Sequence, residues 1–148
     1  MPASSSLSTC AEILQEIEDS RGSLTLKYLM ASQILSGKPF EKGRNPYQDF
    51  ALLISLRNDI LHLKPRASSS AGISTIPKYI IGLQQRGLAM ASSANMPISW
   101  FDSLHTREMA EWSVASAREI ILAILSSISD GQDPMLDHIK STFQHPPV

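Results

Sequence analysis

The sequence has little that points to covalent staples or to a membrane. It contains one cysteine, Cys10, which excludes an intramolecular disulfide and a thiolate zinc site, so a reducing, cytoplasmic setting is expected. Its longest apolar run, Ile120 to Leu125, is far short of the ~18 residues of a spanning helix. The first eight residues carry neither the basic nor the apolar region of a secretory signal, and no such segment is expected. The few glycines form neither a dinucleotide fingerprint nor a P-loop, which weighs against ATP and dinucleotide roles. Alternating strand patterns are absent. With 148 residues, 43% of them hydrophobic, the chain is nonetheless long and apolar enough for one real core.

Charge is low and its distribution matters more than its sum of -1. Residues 1–20 hold only acidic groups: Glu12, Glu16, Glu18 and Asp19. In residues 21–66 eight basic side chains face Glu41, Asp49 and Asp59, an excess of five. The last thirty residues return to a deficit of three, with Lys140 against Glu119, Asp130, Asp133 and Asp137. A local anion site in the middle segment is compatible with this; a general polycation is not.

What is present reads as helices. Thr9 to Glu12 forms a capping box, followed by Ile13, Leu14 and Ile17 at helical spacing. The pattern resumes at Leu24, Tyr28, Ala31 and Leu35 and stops at Gly37-Lys38-Pro39. Ser20-Arg21-Gly22-Ser23 either breaks this stretch into two helices or weakens one long one. Asn45-Pro46 opens the next helix, with asparagine as cap and proline in the first position. Its inward residues are expected to be Phe50, Leu53, Ile54 and Leu61, and Pro65 ends it near Leu63. A shorter helix is expected within residues 76–90. A long one is expected from about Thr106 to Ser129, with Ala110, Val114, Ala117, Ile121, Ile124 and Ile128 as its apolar stripe. Pro134 starts one short final turn. The expectation is an all-α chain, an up-and-down bundle of four or five helices. It forms a single domain over residues 1–148, with 1–7 and 141–148 as flexible ends.

One segment carries chemistry: Leu56-Arg57-Asn58-Asp59-Ile60-Leu61-His62-Leu63-Lys64-Pro65. At about 100° per residue Asn58 and His62 lie one turn apart on one face, where the amide can fix the imidazole tautomer. Arg57 is long enough to reach round to the helix end, and Lys64 and Arg66 add positive charge. Such a group suits a phosphodiester, with arginine forking onto phosphate oxygens and histidine moving a proton. The bland alternative pairs Arg57 with Asp59 or a neighbour and leaves His62 as a helix-terminal residue.

These residues resemble the hallmark of the HEPN superfamily (higher eukaryote and prokaryote nucleotide-binding domains). Its members are helical bundles carrying arginine, four to six residues, then histidine, often with asparagine after the arginine. Arg57, Asn58 and His62 match that spacing, and the long Ala- and Ile-rich helix with Trp112 near its start is similar to the late helix of such domains. The resemblance implies a metal-independent endoribonuclease of a toxin–antitoxin or other defence system, needing no cofactor and working as a homodimer with two motifs facing one cleft. In that reading His62 is the general acid or base, Arg57 holds the phosphate, Asn58 orients His62 or the ribose, and Lys64 and Arg66 bind RNA. The alternatives are a catalytically silent α-helical protein- or RNA-binding module, or an antitoxin-type partner. Neither a membrane nor a metal is expected as a partner.

Other features are read as structural. His105 with Asp102, Glu108 and Glu111 forms the one other His/carboxylate cluster, taken as a solvated acidic face. Trp100, Phe101 and Trp112 can stack bases, but tryptophan beside an apolar helical face more often belongs to a core or an interface. His138 and His145 have no evident partner.

Overall fold

The computed structural model describes residues 3–62, 76–93, 95, 98–128 and 134–144. Among them the chain is all-helical, as the periodicity predicts, with no strand. The described residues hold six α-helices, where four or five were expected: α1 (Ala3–Asp19), α2 (Leu24–Ser36), α3 (Tyr47–Leu61), α4 (Lys78–Gln85), α5 (Arg107–Leu125) and α6 (Pro134–Gln144). A short 3-10 turn, Asp102–Leu104, precedes α5. No helix among the described residues is long and apolar enough to cross a membrane.

Several boundaries differ from the sequence expectation for local reasons. α1 starts at Ala3, so Thr9 sits inside the helix and the Thr9–Glu12 capping box does not form its start. The ambiguous stretch is a true break. Arg21 adopts a left-handed φ of 56°, and the Gly22 N–H donates to the Ile17 carbonyl at 2.7 Å, closing α1 in a Schellman motif. Gly22 is required there because a Cβ would lie 2.4 Å from the Ile17 side chain. Ser23 then caps α2, its hydroxyl accepting from the Leu26 N–H at 3.2 Å. Asn45 caps α3 from one residue further out than expected: its side-chain oxygen accepts from the Asp49 N–H at 3.3 Å. α4 is cut short by a second Schellman closure, in which Gly87 (φ 71°) supplies the left-handed turn and Leu88 N–H reaches the Leu83 carbonyl at 2.9 Å. α6 is a full helix, not one turn. Its terminal carbonyls accept from Arg118: Nε to Phe143 at 2.7 Å and Nη2 to Gln144 at 3.0 Å.

Contacts divide the chain into two compact units, Met1–Ile54 with Ser116–Val148, and Ser55–Ala115. In the first, α1 and α2 pack on each other, and Tyr47, Phe50 and Ile120 form a buried cluster ringed by Tyr28, Leu29, Phe40, Ala51, Ile54 and Ile121. The Tyr28 and Phe50 rings tilt against each other at 4.5 Å. The second unit is built on Leu56, Ile80, Leu83, Leu104, Met109 and Trp112, all buried. Thr106 knits it: its hydroxyl donates to the Leu88 carbonyl at 2.6 Å and accepts from the Met109 N–H at 3.0 Å.

The inward faces expected of two helices are met only in part. On α5 the buried positions are Met109, Trp112, Ser116, Ile120 and Leu125, and Ile121 of the expected stripe packs against the Tyr47, Phe50 and Ile120 cluster, whereas Val114, taken as part of that stripe, is 70% exposed. Both rows satisfy helical spacing, and the indole of Trp112 decides between them by its larger apolar area. On α3, Phe50 is buried and Ile54 packs against its cluster as expected, Leu56 is buried as well, and Leu61, expected inward, is 60% exposed.

Candidate functional site

The residues singled out by the sequence lie at the C-terminal end of α3, within the second unit. The last α-helical residue is Leu61, and His62 continues the geometry for one more step, its N–H donating to the Asn58 carbonyl at 3.0 Å. Arg57, Asn58 and His62 are all exposed. Lys64 and Arg66 lie outside the described residues.

Arg57 and Asn58 are brought together: Nη1 donates to Oδ1 of Asn58 at 3.1 Å. The Asn58 amide oxygen thus has the guanidinium as a hydrogen-bond partner. Neighbouring helical positions point about 100° apart, but the arginine side chain is long enough to bend back across that gap. His62 has no side-chain hydrogen bond among the described residues.

Of the two bland pairings, the fold adopts the one of Arg57 with a neighbour, Asn58, and not the one with Asp59. Asp59 instead accepts, through Oδ2, a hydrogen bond from the hydroxyl of Tyr79 in the first turn of α4. Burial pushes the Tyr79 phenol up strongly, and the hydrogen bond and charge of Asp59 push it further the same way. The phenol therefore stays protonated and is the donor. Among the described residues Arg57, an exposed side chain, has no ion pair with a carboxylate. Tyr79 is the participant that sequence reasoning missed. It stands twenty positions from Asp59, and no local spacing announces it.

The secondary candidates are engaged elsewhere. Glu111 bonds Arg107 at 2.6 Å, and the His105 ring sits edge-on to Phe101 at 5.2 Å. No cluster of metal-ligating side chains exists among the described residues. Trp112 is buried with the Arg86 guanidinium over its ring at 5.4 Å, which leaves that face closed to a base. Trp100 and Phe101 are half-buried against one another. His138 is exposed on α6, and His145 lies outside the described residues. Cys10 is buried, and burial pushes its thiol up, away from a reactive thiolate. A separate groove of about 460 Å³ in the first unit is walled by Leu14, Leu24, Tyr28, Ile121 and Ile124, with the Glu18–Lys27 ion pair among its lining residues. It contains none of the Arg57 group. Comparison of the chain with family models, with curated proteins and with solved structures finds no match.

Proposed function

We propose that the C-terminal end of α3 is the phosphodiester site of a HEPN-type endoribonuclease that works without a metal. The observation that carries the reading is an exposed guanidinium with no carboxylate partner among the described residues, on the same helix end as an exposed imidazole. Arg57 forks onto the non-bridging oxygens and stabilises the charge that builds in the transition state. Asn58, bonded to Arg57, steers the guanidinium rather than the histidine.

The reaction is in-line attack of a ribose 2′-oxygen on the adjacent phosphorus. The 2′-O–P bond forms and the P–O5′ bond breaks, leaving a 2′,3′-cyclic phosphate and a free 5′-hydroxyl. One proton leaves the 2′-OH and one reaches the 5′-oxygen. The His62 imidazole, with one nitrogen that can accept a proton and one that can donate, can serve either transfer, and proton transfer of this kind contributes ~10²–10⁴-fold. Two copies of the site facing one cleft in a homodimer supply a base and an acid together. The biological setting proposed is a toxin–antitoxin or defence system, in which a cognate partner restrains the cleavage.

The test is chemical. Purified protein in EDTA is incubated with an RNA and with the DNA of the same sequence, and the product ends are identified. Cleavage of RNA alone with 2′,3′-cyclic phosphate ends is expected. Cleavage of both strands, or 3′-hydroxyl ends, overturns the mechanism.

A second reading, a catalytically silent binding module or antitoxin-type partner, is favoured by the large apolar side chains left exposed in the second unit, Leu61, Ile81 and Val114. It expects binding of RNA or a protein partner with no turnover and no effect of His62→Ala.

A further inference from the structure

The bond between Asp59 and Tyr79 has a consequence for the arginine two positions before Asp59. A carboxylate beside a phosphate-binding guanidinium opposes its task twice, by pairing with the cation and by repelling the substrate anion. Asp59 is the acidic residue nearest to Arg57 in sequence, and the fold ties its carboxylate to Tyr79 on another helix. α4 is itself firmly seated, since Ile80 and Leu83, one and four positions after Tyr79, are essentially inaccessible to solvent. The phenol is thus a fixed donor, and the guanidinium is left with the neutral Asn58 as its partner.

We propose that Tyr79 is a positioning residue that sequesters the Asp59 carboxylate on α4 and so keeps Arg57 free to take an RNA phosphate. The inference rests on the reading of Arg57 as the phosphate ligand, and the two fail in different ways. Tyr79 touches neither the phosphate nor the reacting atoms. Removing its hydroxyl releases Asp59 to pair with Arg57 and lowers the affinity for RNA, and removing the Asp59 charge as well restores it. A hydrogen bond that merely tethers α3 to α4 does not give that rescue, because the double variant lacks the tether too.

The probe is a fluorescein-labelled, mixed-sequence 2′-O-methyl 12-mer, which binds but lacks the nucleophile, titrated by anisotropy at low salt. Tyr79→Phe is expected to weaken binding roughly 2- to 5-fold, the size of an exposed ion pair. Tyr79→Phe/Asp59→Asn is expected to bind like the wild type, and Asp59→Asn alone at least as tightly. Unchanged affinity in Tyr79→Phe, or a double variant as weak as Tyr79→Phe, overturns the inference while a loss in Arg57→Ala leaves the reading of Arg57 intact. Weaker binding by Asp59→Asn alone also overturns it and assigns the pair to tethering. Wild-type affinity in Arg57→Ala overturns the reading of Arg57 and the inference together.

Discussion

Truncating Leu83 to alanine removes a side chain with 0% exposure from the middle of α4. Deleting a fully buried leucine in this way loses its transfer free energy and leaves a cavity that the surroundings only partly fill, about 2–5 kcal/mol. Unfolding entropy scales with length, and for 148 residues it amounts to roughly 0.3 kcal/mol/K near the melting point. The expected loss is therefore about 6–16 °C in Tm. Two positions earlier on the same helix, Ile81 is 57% exposed, and Ile81→Ala is expected to change stability by no more than ~0.5 kcal/mol, under about 2 °C. Melting followed by circular dichroism at 222 nm at low protein concentration measures both. Equal shifts for the two variants, or a larger one for Ile81→Ala, would refute the orientation of α4 on which the placement of Tyr79 depends.

Arg118→Met strips two hydrogen bonds from the terminal carbonyls of α6. A cost of about 1–3 kcal/mol is expected, read as faster amide exchange in residues 134–144. Tyr79 and Tyr28 both have phenols raised by burial, Tyr79 additionally by Asp59. A group that holds its proton more tightly folded than unfolded stabilises below its unfolded value and loses that contribution as pH rises. Stability is thus expected to fall once pH passes the ordinary phenol range near ~10. The fall should be shallower in Tyr79→Phe but still present because Tyr28 remains, and urea midpoints between pH 8 and 11 check both points.

The all-helical class was legible because apolar spacing and the absence of alternation are local signals, read along one segment at a time. The break at Gly22 was visible only as an ambiguity, since its resolution depends on the close approach of the Ile17 side chain to the Gly22 backbone. The face buried on α5 was misjudged because two rows of residues satisfy the same period. The bulk of Trp112, and the Ser116 hydroxyl tolerated inside, decide the rotation. At the candidate site the residue types and their helix were readable, but the partnerships were not. Asn58 turns to Arg57 because a flexible arginine outreaches helical geometry. Asp59 turns to Tyr79 across a sequence gap that no local pattern spans.

The central claim is that His62 transfers a proton during RNA cleavage with Arg57 holding the phosphate. Its most direct measurement is the single-turnover rate of RNA cleavage in EDTA for the wild type and for His62→Ala, each shown to be folded by its melting curve. The account predicts cleavage by the wild type and a loss of ~10²-fold or more in His62→Ala. Equal rates in the two proteins, or no cleavage by either, would contradict it.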